Sequence, residues 1–172
     1  MDKRESTILI PVPEVEFLVS DLRARYDPSG SKGVPAHVTL LFPFIPPEKI
    51  TPEDIKILQE LFKIPRFEFT LSHINTFPDA VFIEPKEREL FVELTRRIYA
   101  QFPDYPPEEG KYLPEINPHL TIGHQLGDRF DECLEQAKKI EDKLPIRCNA
   151  EEIYLMTSKN GYRTIREKFI LL

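Results

Sequence analysis

Two short segments of this chain place a histidine and a threonine two residues apart: His37-Val38-Thr39 within PAHVTLLFPF, and His119-Leu120-Thr121 within NPHLTIGHQL. Each follows a proline and runs into apolar residues. Side chains two apart in an extended strand point to the same face, so each segment presents an imidazole beside a hydroxyl. Imidazole titrates near neutrality, so two of them can act as base and acid in one displacement. Threonine hydroxyls can donate to phosphoryl oxygens while charge moves between them. Together the four groups suit phosphodiester chemistry without a metal. The other two histidines have no such context: His73 ends a predicted strand, and alternation puts His124 on the apolar face of its own. No close carboxylate or cysteine completes a zinc ligand set, so the expected metal and cofactor count is none.

The elements that position these groups follow from periodicity. A strand is predicted at Thr7 to Val12 and a helix at Val15 to Tyr26, with Val15, Leu18, Val19 and Leu22 at helical spacing. The turn-rich segment 27–33 leads to the first motif strand. Thr51, Pro52, Glu53 and Asp54 form a helix start, and the helix runs to about Lys63. Phe67 to His73 and Ala80 to Glu84 read as paired strands about a turn at Pro78-Asp79, and Lys86 to Phe102 as an amphipathic helix. After a proline-rich loop and the second motif come a helix at Arg129 to Leu144 and two strands, Ile146 to Met156 and Arg163 to Leu171, turned by Ser158 to Gly161. The order helix, proline loop, motif strand, helix, strand pair thus occurs twice. The expected fold is α+β, a single domain over residues 1–172. Its two pseudo-symmetric lobes, around 37–44 and 119–126, are mostly antiparallel sheets with outer helices and a cleft between the sheets.

Strict alternation assigns faces. His37, Thr39 and Leu41 share one face of the first motif strand, with Val38, Leu40 and Phe42 on the other; His119, Thr121, Gly123 and Gln125 share one face of the second, and Gly123 leaves room for a substrate. Lys32, Lys159 and Arg163 are candidate auxiliary cations, although solvated surface charge is the favoured reading of each; Phe44, Tyr112 and Tyr162 are candidate stacking residues, which turn or core packing explains equally well. A net charge of -6 argues against a long duplex as partner. Acidic residues from Asp2 to Glu16 interrupt any leader, no stretch is long enough to span a membrane, and the isolated Cys133 and Cys148 read as reduced thiols. A cytoplasmic monomer is expected.

With FEFTLSHINTFPDAVFIEP between the motifs and EEIYLMTSKNGYRTIREKF after them, the chain resembles the two-histidine (2H) phosphoesterases, in particular their 2′-5′ RNA ligase-like, RNA 2′,3′-cyclic phosphodiesterase branch. The resemblance implies the two-lobed fold and metal-independent hydrolysis of 2′,3′-cyclic phosphates to 2′-phosphates, or 2′-5′ ligation in reverse. It implies His37 as the acid for the leaving 3′ oxygen, His119 as the base for water, and Thr39 and Thr121 as holders of the non-bridging oxygens. RNA ends, nucleotides or other small cyclic phosphates are the implied partners. The acidic charge balance favours a nucleotide or short oligonucleotide at least as much as tRNA. A catalytically idle nucleotide- or RNA-end-binding module is the alternative.

Overall fold

The structure, a computed structural model, describes residues 5–172; Asp2 lies outside them. Strands β1 (Ser6–Pro11) and β2 (His37–Leu41) flank helix α1 (Glu16–Tyr26), and α2 (Pro52–Leu61) leads to the hairpin β3 (Phe67–Phe77) and β4 (Ala80–Pro85). Helix α3 (Arg88–Gln101), β5 (Leu120–His124), α4 (Phe130–Lys138), β6 (Ile146–Ala150), β7 (Glu152–Lys159) and β8 (Tyr162–Ile170) complete the chain. The fold is α+β. The eight strands among the described residues form one antiparallel sheet in the order β6-β3-β4-β5-β2-β1-β7-β8. The expected lobes are its two four-stranded halves, each with a motif strand on its inner edge.

Local chemistry explains most boundaries. The Thr51 hydroxyl accepts from the Asp54 backbone N–H (3.2 Å) while the Asp54 carboxylate accepts from the Thr51 N–H (2.8 Å), a reciprocal cap with Pro52 just inside it. Asn160 and Gly161 both have positive φ, 52° and 78°, as the two-residue turn between β7 and β8 requires.

The predicted strand Ile146 to Met156 is two strands. β6 pairs with β3 at one edge of the sheet, whereas β7 pairs with β1 and β8 in the other half. The apolar alternation changes phase there: Cys148 and Ala150 are buried on one side of Glu151, and Ile153 and Leu155 on the other. The predicted helix to Leu144 stops as α at Lys138 and closes in a tight turn at Glu141–Lys143, before Pro145.

The helices pack across the sequence halves. α1, which precedes β2, lies on β5, and α3, which precedes β5, lies on β2. Each motif strand therefore rests on a helix from the other half of the repeat. Ile10, Val38, Leu40, Ile98, Leu120 and Ile122 fill the core beneath, all 2 % exposed or less. No helix among the described residues is long and apolar enough to cross a membrane.

Candidate active site

β2 and β5 are neighbours in the sheet, and the residues that pair are Val38 and Leu120, the middle positions of the two motifs. Antiparallel register then sets His37 opposite Thr121 and Thr39 opposite His119. Val38 and Leu120 are fully buried on the helix side, so the two imidazoles and two hydroxyls lie on the other face, where all four line one cleft of about 530 Å³. The recurrence in the sequence is thus a pseudo-two-fold arrangement in space.

Both motif strands carry a bulge immediately after the threonine. Ile8 and Leu9 pair with Leu41 and Thr39, and Val81 and Phe82 pair with Gly123 and Thr121, leaving Leu40 and Ile122 as extra residues. One extra residue reverses the faces of all that follow. Leu41 turns into the core and Phe42 into the cleft, opposite to the alternation; likewise His124, expected on the apolar face, lines the cleft. Gly123 does not open space for a substrate. A Cβ there would lie 2.6 Å from Cys133 Sγ and 3.1 Å from Tyr26 Cβ, so the missing side chain lets α1 and α4 approach β5. The carbonyl of Leu40, the extra residue in β2, accepts a 2.7 Å hydrogen bond from the buried Thr95 hydroxyl of α3.

The histidines are held alike. His37 Nδ1–H donates to the Pro35 carbonyl at 2.7 Å, and His119 Nδ1–H to the Asn117 carbonyl at 2.6 Å, each two residues upstream. This fixes the tautomer and leaves each Nε2 for proton transfer. Burial, reinforced by the positive charge of Arg23, lowers the His37 pKa to about 4. Burial also lowers that of His119, whose ring packs against the neighbouring rings of Phe77 and Phe82, both at 5.2 Å. Both shifts favour the neutral ring.

The rest of the cleft is polar and unevenly charged. Arg163, on β8, donates to Thr7 Oγ1 (2.6 Å), pairs with Glu5 (3.4 Å) and stands over the Phe42 ring. Arg23 is buried under the cleft and bridges Asp27 (3.3 Å) and the Val34 carbonyl (3.1 Å), bracing the 27–33 loop. Of the candidate cations, Lys32 and Arg163 line the cleft and Lys159 does not. Of the candidate stacking residues, Phe44 is buried against Phe102 and Tyr105, while Tyr112 and Tyr162 are exposed and do not line the cleft; Phe42 does line it. His73 sits on the surface beside Glu84, at 3.1 Å. Cys133 and Cys148 are buried free thiols whose pKa values burial raises to about 11 and about 12. No group of three or more His, Cys, Asp or Glu among the described residues is placed to hold a metal ion.

The profile of the 2′-5′ RNA ligase superfamily matches residues 11–161, which include both motifs and most of the cleft. The chain belongs to this superfamily. A curated relative, "Putative phosphoesterase BH1439" of Halalkalibacterium halodurans, is 28% identical over 95% of this chain and 94% of its own length. Among solved structures, TT0787 of Thermus thermophilus superposes with a TM-score of 0.65 at 18% identity, covering 96% of this chain and 97% of that one. E. coli LigT complexed with NADP+ gives 0.59 at 18% identity over 99% of both chains, and LigT complexed with 3′-AMP gives 0.59 at 16% over 98% of both. At these identities the likeness establishes the fold. Superfamily membership supports an enzyme of the phosphoesterase kind.

Proposed function

We propose that the chain hydrolyses 2′,3′-cyclic phosphates of nucleotides or RNA ends to 2′-phosphates, with His37 and His119 as its proton-transfer pair and without a metal. The observation that carries this reading is the matched setting of the two imidazoles, each tied at Nδ1 to a backbone carbonyl and each beside a threonine in one cleft. One Nε2 takes a proton from water as the oxygen bonds to phosphorus; the other gives a proton to the 3′ oxygen as the P–O3′ bond breaks. Thr39 and Thr121 donate to the non-bridging oxygens, whose charge grows in the transition state. In this reading His37 is the acid and His119 the base. Burial and Arg23 oppose a proton on His37. A bound phosphate anion offsets Arg23 and restores that proton in the complex. The pseudo-symmetry also suits the reverse reaction, 2′-5′ joining. LigT, a similar fold, has been crystallised with 3′-AMP and with phosphate, ligands of the size this cleft can take.

The test offers 2′,3′-cyclic nucleotides and RNA with a cyclic-phosphate end, in EDTA, to wild type, His37→Ala and His119→Ala. Each substitution is expected to lower kcat about 10²- to 10⁴-fold. Each should also remove one limb of the pH–rate profile. Absence of wild-type turnover on every phosphodiester, or full rate in the variants, would overturn the reading.

A further inference from the structure

Three carboxylates line the cleft: Glu5 is paired with Arg163 and Asp27 with Arg23, whereas Glu108 is in no such pair. Glu108 lines the cleft from a turn in which Glu108, Glu109 and Gly110 all have positive φ, 50°, 55° and 77°. Two successive non-glycine residues in this region are costly and persist only where the surroundings impose them. Here the Glu108 N–H donates to the Phe42 carbonyl at 2.7 Å, so the turn is tied to the residue that the β2 bulge swings into the cleft. The Glu108 carboxylate has no hydrogen-bond or ion-pair partner among the described residues. Although it stands at the rim, the walls remove enough water to push its pKa above the ordinary carboxylate value, against the opposing effect of His124 and Lys111.

The charges around the two imidazoles are therefore asymmetric. Arg23 and, with opposite and smaller effect, Asp27 act on His37, and Lys32 and the Glu5-paired Arg163 line the cleft with it; His119 feels His124, and His124 in turn acts on Glu108. One phosphate between the histidines is compatible with this layout. A second phosphate beside Glu108 meets a negative charge that Lys111 and His124 offset only from beyond ion-pair distance.

We propose that Glu108 is a specificity residue for the activity inferred above: its carboxylate accepts hydrogen bonds from a donor-bearing part of the substrate and repels a second phosphate. The cleft accordingly takes cyclic phosphates of single nucleosides in preference to 5′-phosphorylated ones and to RNA chain ends. The proposal rests on the phosphoesterase reading.

The experiment compares kcat/KM for a nucleoside 2′,3′-cyclic monophosphate and its 5′-phosphorylated counterpart, in wild type, Glu108→Gln and Glu108→Lys, at low and high salt. Wild type is expected to prefer the former by about three- to tenfold at low salt, through KM more than kcat. E108Q should erase the preference, E108K should reverse it, and high salt should shrink it in wild type. A ratio unchanged by both substitutions, or one that changes through kcat alone, overturns the proposal. Calorimetric binding of a nucleoside 2′-monophosphate and the matching 2′,5′-bisphosphate, read as the same ratio, separates the two failures. Without wild-type turnover the reaction reading falls, yet a wild-type binding preference that E108Q removes still upholds the specificity role. Equal affinities in wild type overturn it.

Discussion

His37 supplies a stability signature that can be worked out from its surroundings. Burial first, then Arg23, lowers its pKa to about 4, against 6.5 for an unhindered imidazole. The unfolded chain therefore takes up this proton more readily than the folded one. The stability tied to a neutral His37 is complete above about pH 6.5 and is lost as the pH falls from there toward about 4. Each pH unit of that gap is worth about 1.4 kcal/mol, giving about 3 kcal/mol in all. The ring is half-buried, and water at the cleft face reduces this to about 2 kcal/mol. Glutamine at position 37 keeps a polar side chain but cannot titrate. Urea denaturation of wild type and H37Q from about pH 8 to about pH 4 should give stability curves that separate by about 2 kcal/mol, wild type falling more steeply. Carboxylates and the other histidines are common to both proteins and cancel in the difference. Sulfate in the cleft, which offsets Arg23, should bring the curves together. If the two curves run parallel within about 0.5 kcal/mol, His37 is not held neutral by its surroundings and the electrostatic part of the site reading fails.

Two other outcomes test the cleft and its support. Gly123→Ala puts a methyl group 2.6 Å from Cys133 Sγ, where either α4 or β5 must shift, and should lower stability by about 1–3 kcal/mol in chemical denaturation. An unchanged midpoint would mean that the close approach of helix and strand is not a constraint. Phe77→Ala opens one side of the His119 ring to water, so the pKa of His119 should rise toward 6.5, read from the pH dependence of its imidazole resonances. A fall, or no change, would show that loss of water is not what lowers it.

Most of the fold was legible in the chain because its signals are local. Thr51 to Asp54 carry their own cap, Asn160-Gly161 their own turn, and the apolar periods of α3 and β3 need no distant partner. The error at Ile146 to Met156 was also local in principle: the buried positions change from even to odd at Glu151, a phase shift that marks two strands. The helices packing across the halves left no such trace, since which sheet strand a helix covers depends on the course of the chain between them.

By itself the sequence determined that two imidazole–hydroxyl pairs exist, each on one strand face, because side-chain alternation over three residues is a property of the extended backbone. Tertiary structure alone decided that Val38 pairs with Leu120, which turns two separate pairs into one four-group site. It also decided what else enters the cleft. A bulge is a mismatch between two paired strands, and neither strand encodes it alone. The bulges at Leu40 and Ile122 swing Phe42 and His124 into the cleft and send Leu41 and Gly123 out of it.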